Sequence, residues 1–135
     1  LGNRAMTATK SVDLVLLSPP DDAAVSGAID TFASAIQRHY GSPLRGLHLF
    51  GSRARGDQSA ESDVAIAVVL DDREWDFWRE KLTLADLSYG VVVNTGADVQ
   101  GWPVRESEWS DPLRHRNPSL VRAMRRDARE LKAAT

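Results

Sequence analysis

The most informative stretch of the sequence is LHLFGSRARGDQSAESDVAIAVVL, residues 47–70. Apolar residues alternate with small or polar ones at its start, which predicts a strand over residues 44–50. Residues 64–70, VAIAVVL, are apolar and rich in β-branched side chains, as in a strand that is buried on both faces. The segment between them, residues 51–62, is polar and contains two glycines. The stretch therefore predicts two strands joined by a turn.

The side chains of this turn indicate phosphate binding. Gly51 has no Cβ, so the backbone can turn sharply against a ligand. Ser52 adds a hydroxyl and a backbone N–H at the start of a short predicted helix, where unpaired N–H groups favour phosphate. Arg53 and Arg55 could neutralise a polyphosphate, and Asp63 places a carboxylate beside the turn. These groups together suit a magnesium–nucleoside triphosphate.

Gly51-Ser52, ten further residues and then Asp63 resemble the signature of the minimal nucleotidyltransferase (MNT) family of the DNA polymerase β-like nucleotidyltransferase superfamily. The likeness extends over residues 22–131, but its specific part is residues 47–70. It implies an α+β fold, a small mixed β-sheet with helices packed on it, as in the polymerase β palm. It also implies Mg²⁺ and ATP, or another nucleoside triphosphate, as ligands.

The sequence departs from this family at its metal ligands. The family has Asp-x-Asp where this chain has Asp63-Val64-Ala65. Residues i and i+2 of a strand share a face, so the family's two carboxylates point at one metal pair. Ala65 cannot bind magnesium, which requires oxygen ligands. The third carboxylate is expected on the next strand, where Val92 or Val93 is best aligned. Only Asp63 is then left as a catalytic and metal-binding residue, and its binding of a metal ion is expected to be weak.

Three acids remain as candidate substitutes for the missing ligands. Asp98 lies five or six residues beyond the expected place, Glu61 lies two residues before Asp63, and Asp57 lies in the turn. Each is more readily interpreted as an exposed loop acid.

Helical periodicity predicts the first of the remaining elements. Apolar residues recur mostly three and four apart from Val25 to Tyr40, which predicts a helix that Asp21 or Asp22 caps and Gly41 ends.

A second helix is predicted after Asp71-Asp72, ending at Gly90, with a third strand that begins at residues 91–93 and resumes through Val99 and Val104. The predicted inward face of this helix consists of Trp75, Trp78, Leu82 and Ala85. Asn117-Pro118-Ser119 predict a last, basic helix over residues 119–132. We leave open whether Trp102 or Trp109 lines a nucleotide pocket.

Composition excludes several classes of protein. The chain has no cysteine, which excludes disulfides and thiolate chemistry. It has no apolar run of membrane-spanning length and no signal-peptide pattern, so a cytoplasmic protein is expected. Residues 1–11 are expected to be an N-terminal tail and residues 12–135 a single nucleotidyltransferase-like domain. Met6 is a plausible initiator, which would make residues 1–5 an addition to the natural chain.

Charge is distributed unevenly along the sequence. Residues 112–135 hold seven basic and two acidic residues, a net charge of +5, whereas residues 1–111 hold ten basic and seventeen acidic ones, a net charge of −7. A basic tail on an acidic body indicates an acidic partner or a nucleic acid. A solvent-exposed helix face would produce the same pattern.

Three functions follow from these observations. The preferred one is a nucleotidyltransferase-like protein with a degenerate metal site, either vestigial in nucleotide binding or binding a partner as an antitoxin does. The resemblance implies a HEPN-domain protein as that partner, docked on the basic helix or the Gly51-Ser52 groove, and a homo-oligomer is also compatible. The alternative is an active Mg-dependent nucleotidyltransferase that adenylylates a protein or small molecule with Asp63 and a substitute acid. A nucleic-acid-binding module is the weakest, because the basic tail lacks interleaved aromatic residues.

Overall fold

The computed structural model describes residues 19–132, so the predicted tail and the apolar residues 12–17 lie outside the described residues. The elements follow in the order α1 (Asp22–Tyr40), β1 (Leu44–Phe50), α2 (Ser52–Arg55), β2 (Val64–Leu70), α3 (Phe77–Thr95), β3 (Val99–Arg105), α4 (Glu106–Ser110), a 3₁₀ turn (Pro112–Arg114), α5 (Pro118–Asp127) and β4 (Arg129–Glu130).

The four strands form one mixed sheet in the order β3-β2-β1-β4. β1 runs antiparallel to β2, with Phe50 opposite Ala65, and antiparallel to β4. β2 runs parallel to β3, with Val64 opposite Val99. The predicted α+β fold, a small mixed sheet with helices packed on it, is confirmed.

The two faces of the sheet have different covers. One face packs against α1 and α3 in the main core, to which β2 contributes Val64, Ile66 and Val68. The other face forms a smaller core, in which Ala67 of β2 meets Met124 of α5. Since strand residues alternate between faces, positions 63 and 65 share the α5 face with Ala67.

Helix α1 follows the sequence prediction closely. The side chain of Asp21 accepts a hydrogen bond from Ala24 N–H (2.8 Å) and caps its first turn. Gly41, with φ 63°, ends it. Tyr40 in its last turn donates a hydrogen bond to Glu80 of α3 (2.8 Å), which joins the two long helices.

Helix α3 differs from its prediction in both bounds and orientation. It begins after Asp76, whose side chain accepts a hydrogen bond from Arg79 N–H (2.9 Å), and it continues past Gly90 to Gly96. The predicted strand at residues 91–93 is therefore wrong. Val91 is buried in the main core, so the apolar packing of α3 on this core continues through residues 91–93.

The predicted inward face of α3 is also wrong. Its buried residues are Leu84, Ser88 and Val91. Trp78 and Leu82, by contrast, are 66% and 65% exposed.

Helix α5 begins at Pro118, after the cap residue Asn117, and ends at Asp127. The segment after it is extended, because Leu131 N–H donates to Leu47 O (2.8 Å) and Glu130 pairs with His48. The predicted helix over residues 119–132 is therefore too long at its end. None of the helices in the described part of the chain is long and apolar enough to cross a membrane.

Both edges of the sheet formed by residues 19–132 are protected. On β3, Lys81 Nζ donates to Gly101 O (2.8 Å), and Pro103 has no N–H to offer. On the other edge, β4 has only two residues, Arg129 and Glu130, and both are charged and exposed.

Candidate active site

The turn after β1 has the backbone conformation that its glycine permits. Gly51 has φ 83° and ψ −162°, a region that is essentially restricted to glycine. Its carbonyl oxygen accepts hydrogen bonds from Ala54 N–H (3.0 Å) and Arg55 N–H (3.1 Å), which start α2. The N–H groups of Ser52 and Arg53 therefore lie in the first turn of this short helix. The predicted helix is confirmed, and phosphate binding by Gly51 and Ser52 stays a prediction.

Two carboxylates meet where the parallel strands begin. Asp63 directly precedes β2, and Asp98 directly precedes β3. Val64 N–H donates to Asp98 O (2.8 Å), so Asp63 and Asp98 lie one step before the opposed pair Val64 and Val99. Their side chains share a sheet face, and the two carboxyl groups are close enough for Asp98 to raise the pKa of Asp63.

Asp98 is the one of the three candidate substitutes that reaches Asp63. It is exposed, as a loop acid is expected to be, but it is not isolated. Asp57 instead forms an ion pair with Arg55 (3.2 Å). Glu61 is exposed at a small cleft of about 210 Å³. Within residues 19–132, Asp98 and Arg53 are the charged groups that shift the pKa of Asp63.

The electrostatics of the pair favour a cation or a shared proton. Partial burial raises the pKa of Asp63 above its usual value, the adjacent Asp98 carboxylate raises it further, and Arg53 opposes both effects. Bound positive charge would relieve this repulsion.

The carboxylate pair fits one magnesium ion. Mg²⁺ is commonly held by one or two carboxylates together with phosphate oxygens and water. Among the residues that the structure describes, no group of three or more His, Asp or Glu side chains could hold a metal ion. Asp63 and Asp98 are thus suited to a metal that arrives with a triphosphate.

The next position along this face carries no carboxylate. Ala65 is opposite Gln100 in the register of β2 and β3. Ala65 also lies against the Gly51-Ser52 turn, because a Cβ built on Gly51 would be 4.0 Å from its Cβ. The site therefore has two pairs of opposed strand positions, which we call levels. The first level, at the entry of the strands, has two acids, and the second level has a methyl group and a neutral amide.

The alignment of the third family carboxylate with Val92 or Val93 is wrong. Both residues belong to α3, and the strand position level with Ala65 is Gln100. The sequence interpretation did not place Asp98 at the entry of β3, beside Asp63, because it started the third strand too early. Gly96, which ends α3 with φ 75°, was the signal that could have located β3.

Arg53 holds the loop that leads into β2. Its Nε donates to Ser62 O (2.8 Å), and its Nη2 donates to Ala60 O (3.3 Å). Both carbonyl groups lie just before Asp63 in the chain. Arg53 therefore positions Asp63, a role that the sequence did not predict.

Arg55 is engaged by two acids. Its Nη1 donates to Asp127 Oδ2 (2.7 Å), and its Nε donates to Asp57 Oδ2 (3.2 Å). The Asp127 side chain is only 6% exposed. Arg55 therefore joins α2 to the end of α5, and a phosphate contact would require it to leave both partners.

A larger groove of about 600 Å³ lies along the β3 edge. Trp102, which shares a strand face with Asp98 and Gln100, is part of its lining, as are Trp78 and Arg116. Lys81 Nζ lies 4.0 Å from the centroid of the Trp102 ring.

The other tryptophan considered for a nucleotide pocket has a structural partner. Trp109 stacks on His48, with ring centroids 4.5 Å apart and planes inclined by 19°. Trp109 and Trp102 both pack against the smaller core. Trp102 is part of the lining of the larger groove and Trp109 is not, so Trp102 is the better placed of the two to meet a ligand.

Comparisons with known proteins agree with this geometry. The protein-family model described as "Nucleotidyltransferase domain" matches residues 29–116. A protein of Methanocaldococcus jannaschii named "putative protein adenylyltransferase" is 36% identical over 90 residues, which cover 67% of this chain and 86% of that protein. A crystal structure of a "putative nucleotidyltransferase" from Sulfolobus solfataricus matches 87% of this chain and 93% of its own, with a TM-score of 0.50 and 18% identity, and shows a similar fold.

Proposed function

The chain belongs to the nucleotidyltransferase domain family, and we propose that it binds a magnesium–nucleoside triphosphate at a transferase site that is impaired. One observation carries this proposal. Asp63 and Asp98 lie side by side at the entry of β2 and β3, while Ala65 and Gln100 occupy the next level. The first level suits one metal ion, and the second offers no charged ligand to another.

The residues around the pair have separate roles in this proposal. Asp63 and Asp98 would hold the ion, which neutralises the charge of the triphosphate when bound. Gly51 would allow the backbone to approach the phosphates, and the N–H of Ser52 would donate to them. Arg53 keeps Asp63 in position through Ser62 O.

Impaired transfer follows from the chemistry of the reaction. An acceptor oxygen must lose its proton and attack the α-phosphorus, and pyrophosphate must leave. A two-metal site lowers the barrier by activating the attacking oxygen and stabilising the leaving one. With Ala65 and Gln100 at its second level, this site has no carboxylate there to accept a proton or to hold the second ion.

Titration calorimetry of the full chain with ATP tests the binding site. We expect heat of binding with Mg²⁺, no binding by Asp63→Asn, and binding weakened at least about tenfold by Asp98→Asn, since charged groups in a metal site contribute strongly. Asp30→Asn removes an exposed carboxylate from α1 and serves as the matched control. Equal affinity of wild type and Asp98→Asn would contradict the paired-carboxylate site.

Restoring the missing acids tests the impairment. Ala65→Asp combined with Gln100→Asp places carboxylates at the second level of the same face. We expect this double variant to transfer label from α-labelled ATP to a protein acceptor at least about a hundredfold faster than wild type, within the range that metal sites contribute. A wild type already as fast as the double variant would show that the site is not impaired.

A second candidate is an active adenylyltransferase, and the position of Asp98 favours it. Asp98 supplies the substitute acid that this alternative requires. The related M. jannaschii protein carries an adenylyltransferase name. Magnesium-dependent label transfer that is lost in both Asp63→Asn and Asp98→Asn would establish it, and transfer that survives either change would exclude it.

A HEPN-domain protein remains the proposed partner. The support is the family resemblance, together with the observation that residues 19–132 contain no second domain to present an acceptor. Co-purification of this chain with a HEPN-domain protein encoded beside it would support the pairing. Elution of the two as separate species after co-expression would contradict it.

A further inference from the structure

The outer face of α3 carries an apolar stripe that is largely exposed within residues 19–132. The α3 stripe consists of Trp78, Leu82, Ala85 and Tyr89, spaced by four, three and four residues, which is the spacing of core positions in a two-helix coiled coil. Trp78, Leu82 and Tyr89 are 66%, 65% and 71% exposed against residues 19–132, and Ala85 is exposed as well. A soluble protein rarely exposes such a contiguous apolar surface without a use for it.

We propose that the α3 stripe is the interface of a symmetric homodimer, in which α3 packs antiparallel against α3 of a second copy. In a two-fold interface, one patch must be complementary to itself. The stripe meets that condition. With the dyad between Thr83 and Leu84, Trp78 faces Tyr89 of the second copy, and Leu82 faces Ala85 of the second copy.

The sizes of the opposed side chains fit this register. Leu82 against Ala85 pairs a large residue with a small one, so the helices can approach closely near the dyad. Trp78 against Tyr89 forms an aromatic pair at each end, and such pairs are favourable beyond their buried area. An interface made for an unrelated protein would not need to match itself in this way.

Charge complementarity supports the same register. Arg79 and Asp86 lie on the same side of the α3 stripe. In an antiparallel pair related by a two-fold axis, this side of one helix lies next to the same side of the other helix. Arg79 of each copy therefore comes close to Asp86 of the other. Both residues are exposed, and neither forms an ion pair within the part of the chain that the structure describes.

The available area matches what a specific dimer requires. Aromatic side chains can bury about 150–250 Å² each, so the exposed stripe offers roughly 500 Å² per copy. A pair would bury about 1,000 Å² in total, the lower limit for a specific interface. A reversible dimer, rather than an obligate one, is therefore expected.

Sedimentation equilibrium of the full chain at a series of concentrations tests the proposal. We expect a monomer–dimer equilibrium whose dissociation constant rises at least about tenfold in Leu82→Glu, because the change buries a charge at the centre of the interface. Leu113→Glu is the matched control, since Leu113 is 71% exposed on the 3₁₀ turn and outside the stripe. A monomeric wild type, or a dimer that only Leu113→Glu weakens, would overturn the proposal.

A charge exchange tests the register without removing apolar contacts. Arg79→Asp and Asp86→Arg should each weaken the dimer, because each places like charges together, and the double variant should restore it. Arg38→Asp, an equally exposed change on α1, should have no effect. Failure of the double variant to recover the wild-type dissociation constant would overturn the antiparallel register.

The absence of cysteine makes cross-linking a clean second measurement. An equimolar mixture of Leu82→Cys and Ala85→Cys should form an intermolecular disulfide faster than either variant alone, since these positions face each other across the dyad. Thr31→Cys, on the exposed side of α1, should not cross-link at a comparable rate. Equal rates for the mixture and for Thr31→Cys would exclude the proposed contact.

Discussion

At the level of single residues, the closeness of Asp63 and Asp98 carries an energetic penalty. Loss of solvation and the neighbouring Asp98 carboxylate both raise the pKa of Asp63. Local sequence was sufficient to predict Asp63, because it follows Gly51-Ser52 at a fixed spacing. The neighbourhood of Asp98 was not predictable in the same way, since it depends on the register between β2 and β3, which lie far apart in the chain.

We expect Asp98→Asn to stabilise the metal-free protein at neutral pH. Because the pKa of Asp63 is higher in the folded state than in the unfolded state, ionisation penalises folding. The penalty is absent below the unfolded pKa and develops fully as the pH rises past the folded one. Since both acids are exposed, solvent screening limits the gain to less than about 1 kcal/mol.

Denaturant unfolding at neutral and at strongly acidic pH, without metal, measures this effect. The variant should be more stable than wild type at neutral pH and equal to it in strong acid. Added Mg²⁺ should raise the stability of wild type more than that of the variant. A variant less stable than wild type at neutral pH would show that the Asp98 carboxylate is not repelled by its neighbour.

At the level of elements, the packing of α3 on β3 is close enough to be tested at one glycine. A Cβ on Gly101 would lie 3.2 Å from three atoms of Leu84, including its Cβ, which cannot move without the helix. We expect Gly101→Ala to destabilise the protein by about 1–3 kcal/mol through overpacking. Its free energy of unfolding in urea is the measurement.

Gly27→Ala is the control for that change. Gly27 lies within α1, where a Cβ would have nothing within 4 Å. The same substitution should therefore stabilise the protein there, by about 0.5–1 kcal/mol, because alanine is the better helix former. If both substitutions changed the free energy of unfolding in the same direction, the α3–β3 contact would be looser than the structure shows.

The elements also show where sequence patterns stop being decisive. The strands β1 and β2 were predicted at their observed bounds, because turn residues limit them on both sides. The sequence of residues 91–93 predicts a strand, since consecutive β-branched residues favour one locally. Burial of Val91 in the main core outweighed that preference, and the helix continued to Gly96.

At the level of the whole molecule, the pair of Arg55 and Asp127 connects the turn after β1 to the C-terminal part of the described chain. Hydrogen bonds from Arg126 and from Arg55 lower the pKa of Asp127 below its usual value. A pKa that is lower in the folded state gives stability that is present above the unfolded pKa and is lost as the pH falls through the folded one. No short-range sequence pattern predicted this contact, because its two residues are far apart in the chain.

We therefore expect Asp127→Asn to lower the melting temperature by several degrees at neutral pH. The difference from wild type should shrink under strongly acidic conditions, where wild type loses the same contribution. Thermal unfolding followed by circular dichroism is the measurement, with Asp30→Asn as the control for loss of an exposed carboxylate. A difference that does not change with pH would show that lost packing, rather than lost charge, is responsible.

The protected edges of the sheet have a consequence for how this domain can associate. Another chain cannot easily extend the sheet at β3, where Lys81 occupies Gly101 O and Pro103 lacks a donor, nor at the two charged residues of β4. Amyloid-like growth and strand exchange both require an open row of backbone groups. For residues 19–132, these features favour association through side-chain surfaces, which can dissociate without unravelling the sheet.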